Sequence, residues 1–188
     1  MNMDDDRILD LYWARSESAI HETAKKYGHY CSAIANNILH SREDAQECVN
    51  DSYLKAWESI PPQRPAAFRV FLGRITRNLS LNKYKAQKTQ KRGGNDVDLI
   101  FHELEECLPA GGSVEKAYEA ALVTEAINAC LRSLDSETRI VFVRRYWYAD
   151  SIRAIAERFH MNESRVKSML FRTRKTLKTH LENEGVLL

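Results

Sequence analysis

Glycine and proline are scarce in this chain. Only 7 and 4 occur among 188 residues, with three of the prolines crowded at Pro61, Pro62 and Pro65. Long stretches are therefore free of helix breakers, and an all-α protein is expected. No apolar run approaches the ~18 residues that a spanning helix needs, and the acidic opening at residues 1–6 has none behind it. Neither membrane insertion nor secretion is expected, and a cytoplasmic protein fits. The four cysteines, Cys31, Cys48, Cys107 and Cys130, form no C-x-x-C pair, so buried reduced thiols are expected rather than a disulfide framework. His29 and Cys31 lack a second pair at ligand spacing, and no Gly-rich loop follows a strand, so no metal, nucleotide or other cofactor is called for. No catalytic constellation survives, and the chain reads as a non-enzyme.

What is present is charge, sorted along the chain. The 44% hydrophobic content is enough for one moderate domain or two small ones and excludes disorder as the main state. The formal net charge of +2 conceals three blocks. Residues 68–92 hold eight bases and no acid; residues 93–122 hold seven acids against Lys116; residues 165–178 hold six bases and no acid. Like-charge blocks of this kind usually serve a partner of opposite sign.

Helical periodicity divides the chain in two. A short helix around Ile8 to Trp13 precedes a long amphipathic one over 17–39 carrying Ile20, Tyr27, Cys31, Ile34 and Ile38. Ser41, followed three residues on by Asp44, starts another helix that Pro61 and Pro62 stop. A third begins near Ala66, with Phe68, Phe71, Leu72, Ile75 and Leu79 on one arc and Arg74, Arg77, Lys85, Lys88 and Arg92 on another. Acidic residues, Pro109 and two Gly-Gly pairs then suggest a flexible linker over 93–112. Beyond it, helices are expected from about 113 to 131 and from 136 to 147. Ile152, Ile155, Ala156 and Phe159 line the next helix, and Asn162 caps a last one lined by Val166, Leu170, Thr173, Leu177 and Leu181. That is helix-turn-helix spacing, in a four-helix, winged-helix-like second domain. Arg165, Ser168, Arg172 and Lys175 project opposite the apolar stripe, as a groove-entering helix requires.

Three stretches, in order, resemble the extracytoplasmic-function sigma factors of bacterial RNA polymerase, members of the sigma-70 family. Residues 44–57, DAQECVNDSYLKAW, are similar to the family's D-A-E-D-x-V-Q-E/D-x-F-L-x-A-W segment. Residues 71–79, FLGRITRNL, are similar to its F-x-x-W-L-x-x-I-A-R-N-L segment; Ile155-Ala156-Glu157 and residues 166–175, VKSMLFRTRK, resemble its last two signatures. The resemblance implies region 2 over 1–92, an acidic linker over 93–112 and region 4 over 113–188. By the same resemblance, region 2 is expected to bind core polymerase and open the minus-ten element, and region 4 to read the minus-thirty-five element. The implied partners are core polymerase, through the β′ clamp and the β flap, promoter DNA, and an anti-sigma factor.

Site residues follow from the resemblance and the charge map together. Asp44, Glu47, Asn50 and Asp51 are expected to meet the polymerase. Arg74, Arg77, Asn78, Asn82, Tyr84, Lys85 and Lys88 are expected to meet the melted promoter. Ser164, Arg165, Lys167, Ser168, Arg172, Lys175 and Lys178 are expected to meet the upstream duplex. Asn50, Asn162 and Arg165 depart from the family, which usually has Gln, Ser and a small residue at those positions. A free-standing helix-turn-helix regulator, or a helical adaptor for an acidic protein, are the alternatives that the residues leave open.

Overall fold

A computed structural model of the chain describes residues 3–90, 96–105 and 116–184. All regular structure among them is α-helical, and the helices gather into two units, residues 1–93 and 94–188.

The first unit comprises α1 (Asp5–Trp13), α2 (Ser18–Leu39), α3 (Arg42–Ser59) and α4 (Phe68–Gln90). Helices α2, α3 and α4 pack against one another, and α1 lies mainly against α2. Ile34, Ile38, Val49, Ala56, Ile60, Phe68 and Leu72 fill the interior, each large aliphatic adding about 1.5–3 kcal/mol by leaving water. Tyr12, Tyr27, Tyr30, Trp57 and Phe68 form an aromatic cluster with tilted or edge contacts between 5.8 and 6.3 Å. The Ser41 side chain caps α3 by accepting the Asp44 N–H at 3.3 Å, as its sequence position requires. Gly73 is needed for space: a Cβ there would lie 2.1 Å from the Tyr30 hydroxyl. The aspartates at the start of α1 serve packing as well as the helix N-terminus, since Asp5 pairs with Lys26 of α2 at 2.6 Å.

The second unit comprises α5 (Asp96–Glu105), α6 (Lys116–Ser133), α7 (Ser136–Tyr146), α8 (Ile152–Phe159) and α9 (Glu163–Asn183). Three caps set its frame. Asp135, Ser151 and Asn162 accept the N–H groups of Thr138, Ala154 and Arg165 at 2.9, 3.1 and 2.7 Å. Between α8 and α9, His160 takes a left-handed conformation (φ 53°), while the Met161 N–H closes the turn on the Ala156 carbonyl at 2.9 Å. The stripe Val166, Leu170, Thr173, Leu177 and Leu181 is buried, and α6, α7 and α8 supply the other side of that core. No strand occurs among the described residues, so no wing accompanies the helix-turn-helix there.

The expectation of a linker with little fixed structure over 93–112 needs correction for residues 96–105. They form α5, with Val97 and Ile100 buried and α7 as the neighbour. The acidity that suggests a solvated connector is used inward by Glu103. Its carboxylate pairs with Arg145 at 3.4 Å and Arg174 at 3.5 Å and accepts the Tyr146 hydroxyl at 2.8 Å. The remaining stretches, 91–95 and 106–115, lie outside the described residues, as do Arg92 and Cys107. Cys31, Cys48 and Cys130 are buried free thiols, and burial pushes the Cys31 pKa up to about 11.

Candidate polymerase and nucleic-acid interface

On α3, the acidic and amide residues divide by their pairing with α4 rather than by exposure, since Glu47 is exposed as well. Asn50 and Asp51 are exposed, Asn50 accepting from Gln46 at 3.1 Å along its own helix. Leu54 follows them with 55% of its surface exposed, an apolar side chain set among polar ones. Asp44 and Glu47 are engaged by the neighbouring helix: Lys83 of α4 lies 2.9 Å from Asp44 and 2.6 Å from Glu47. Gln87 adds a hydrogen bond to Asp44 at 3.1 Å. Hydrogen bonding from Lys83, then Gln87 and Ser41, holds the Asp44 carboxyl down to about 2, and the same pairing, led by Glu47, raises the pKa of Lys83. Lys83 belongs to the basic block of the sequence, yet its charge is spent on α3.

On α4, Arg74, Asn78, Asn82 and Lys85 are exposed and share one side of the helix at i, i+4, i+8 and i+11 spacing. Arg77 and Tyr84 sit on the flank of that side, nearer the buried stripe, and are half-buried. Burial lowers the pKa of Arg77, although a guanidinium stays charged at any physiological pH. The expectation that Arg77 belongs to the outward arc is therefore corrected: its position seven residues before Tyr84 turns both toward the packed flank. The side chain of Lys88 lies outside the described residues.

On α9, Ser164, Arg165, Lys167, Ser168, Arg172, Lys175 and Lys178 are all exposed. Arg174, in the same basic run, points the other way and donates to the Tyr146 hydroxyl at 2.8 Å. Phe171 stands 61% exposed among the basic residues, outside the buried stripe. Arg165 donates to Glu137 of α7 at 2.8 Å, and Lys167 lies 3.8 Å from Glu163. An open groove of about 610 Å³ runs between the start of α7 and the first half of α9, with Glu137, Ser164, Arg165, Ser168 and Arg172 among its lining residues. The sequence reading misses Glu137, Glu103 and Lys83. No local pattern marks them, because their partners lie 28 to 71 residues away in the chain.

A helix-turn-helix unit with a basic face, preceded by a helical unit carrying an acidic and a basic face, has the features expected of a transcription initiation protein. Comparison with known families agrees. Sigma-70 region 2 matches residues 24–90 and sigma-70, region 4 matches residues 124–177, so the chain belongs to the sigma-70 family. The probable RNA polymerase sigma factor RfaY of Xanthomonas campestris pv. campestris is 25% identical over 153 residues, 80% of this chain and 37% of that protein. The RNA polymerase sigma-H factor of Pseudomonas aeruginosa is 22% identical over 182 residues, 95% of this chain and 94% of that one. The chain thus spans little more than a third of the first relative and nearly the whole of the second. Among solved structures, CnrH in complex with the cytosolic domain of CnrY aligns over 95% of this chain and 97% of that one, at a TM-score of 0.44 and 18% identity.

Proposed function

We propose that this chain is a promoter-specificity subunit of RNA polymerase, without catalytic activity of its own. The region 2 match over 24–90 carries the reading, because it falls on α2, α3 and α4 and a free-standing regulator would have no need of it. In the first unit, Glu47, Asn50 and Asp51 with Leu54 make a surface suited to a basic clamp, an apolar centre ringed by charge. Arg74 and Lys85 track the phosphates of the melted minus-ten element, while Asn78 and Asn82 address bases and Tyr84 stacks from the flank.

In the second unit, α9 enters the major groove of the minus-thirty-five element. Side chains near the start of such a helix reach base edges, so Ser164, Arg165 and Ser168 are the readers; Lys167, Arg172, Lys175 and Lys178 hold phosphates. The finer partner assignments, the β′ clamp and β flap, and an inhibitory anti-sigma protein, belong to the same proposal, as does a cytoplasmic site of action beside the chromosome. No helix among the described residues is long and apolar enough to cross a membrane.

The test is reconstitution. The purified chain should co-elute with core polymerase and start run-off transcription at promoters selected from a random library. Duplex binding at an operator without polymerase, together with no association with core enzyme, would support the free-standing regulator instead.

A further inference from the structure

We propose that Glu137 is a positioning residue for specificity, holding Arg165 in the orientation from which it reads a base edge. The proposal rests on Arg165 being a base reader. Its backbone is fixed by the Asn162 cap, whose side chain accepts the Arg165 N–H at 2.7 Å. Its other end is fixed by Glu137, which takes one guanidinium N–H at 2.8 Å from across the groove. Glu137 is itself held on the first turn of α7, where Asp135 caps the helix at 2.9 Å and the helix N-terminus favours a carboxylate.

Stability does not explain the pair. Both side chains are about half exposed, at 57% and 49%, and exposed ion pairs contribute little to folding. What the pair does is restrict a long side chain before DNA arrives, lowering the entropy lost on binding. Arginine has five N–H donors, so one bond to Glu137 leaves the two-pronged edge that guanine O6 and N7 require. The carboxylate also repels phosphates at the mouth of the groove, which steers Arg165 away from the backbone and toward the bases.

The experiment uses holoenzyme assembled from core polymerase and full-length chain, scored on a library of randomised upstream elements. Arg165→Ala should erase the preference at one base pair. Glu137→Ala should weaken that same preference about three- to tenfold, and Glu137→Gln, which keeps an acceptor oxygen, should restore part of it. The double variant should match Arg165→Ala, because the effect of Glu137 passes through Arg165. Additive losses in the double variant, or a uniform drop at all sites with Glu137→Ala, would overturn the proposal while leaving Arg165 a reader. An unchanged ranking with Arg165→Ala overturns the reader assignment and the proposal with it.

Discussion

Glu103 of α5 meets Arg145 of α7 at 3.4 Å, and the arginine side chain is only 1% exposed. A guanidinium so far from water needs a fixed counter-charge, which joins α5 to the helix-turn-helix unit more firmly than its short apolar face alone would. Arg145 also donates to the Asp150 carbonyl at 3.1 Å through its other terminal nitrogen. Glu103→Ala should lower the stability of the second unit by on the order of 3 kcal/mol, because removing one partner strands a buried charge. Chemical denaturation combined with amide exchange in α5 and α7 measures this. Equal protection in both proteins would show that α5 is held by Val97 and Ile100 alone.

On α3, Asp44 and Asp51 differ in what holds them: Asp44 is paired with Lys83 of α4, and Asp51 is exposed. Asp51→Arg should weaken association with core polymerase roughly 100-fold, since like charges brought together in an interface cost several kcal/mol, while the thermal melt stays that of the parent. Asp44→Ala should shift the melt as well, because it frees Lys83 from one of its two carboxylates. Titration of each variant against core enzyme, alongside calorimetry, distinguishes the two. The assignment of this face to the clamp does not stand if Asp51→Arg binds like the parent.

The Lys83 network predicts an acid limit. Asp44 has a folded pKa of about 2, below the ordinary carboxylate value of about 3.9. Its contribution is therefore present above the unfolded value and is lost as pH falls from about 4 toward 2. Carboxyl-carbon NMR should show Asp44 titrating near 2 in the parent and close to the ordinary value in Lys83→Met. A Lys83→Met protein in which Asp44 still titrates near 2 would mean that Gln87 and Ser41 suffice.

Promoter opening should divide α4 in the same manner. Replacing Arg74 and Lys85 with glutamine should flatten the salt dependence of open-complex formation by about 0.7–0.9 in log–log slope for each phosphate no longer neutralised. Binding to core polymerase should be unchanged. Arg77→Gln, by contrast, should lower the melting temperature of the first unit, because that side chain is half-buried. Permanganate footprinting across a salt series and a melt of each variant provide the check, and an identical slope in the double variant would make the outward face merely solvated.

In α9 the buried stripe can be tested apart from DNA. Leu170, 2% exposed, should cost about 2–5 kcal/mol on replacement by alanine. Lys175→Ala should leave stability alone and weaken all upstream sequences alike, as a phosphate contact carries no base information. Denaturation and the same promoter library measure the pair. A change in site ranking with Lys175→Ala would move it from anchor to reader.

Local chemistry makes much of this protein legible from its residues. Ser41 and Asn162 cap the helices that their side chains announce, the stripe from Val166 to Leu181 is buried at the spacing that 3.6 residues per turn demands, and the exposed bases of α9 fall opposite it. These are short-range consequences of backbone geometry, so periodicity and capping suffice. Which charges face outward is a different matter. Lys83, Arg174 and Glu103 look in sequence like any other members of their uniform blocks. Only the packing of α3 on α4, and of α5, α7 and α9 with one another, gives these three their partners. The reason is physical: a salt bridge depends on distance in space, and the helices that set it meet residues dozens of positions apart. The sequence alone determined that the chain is helical and carries its charge in blocks; the tertiary structure decided that Lys83, Arg174 and Glu103 pair across helices within the fold.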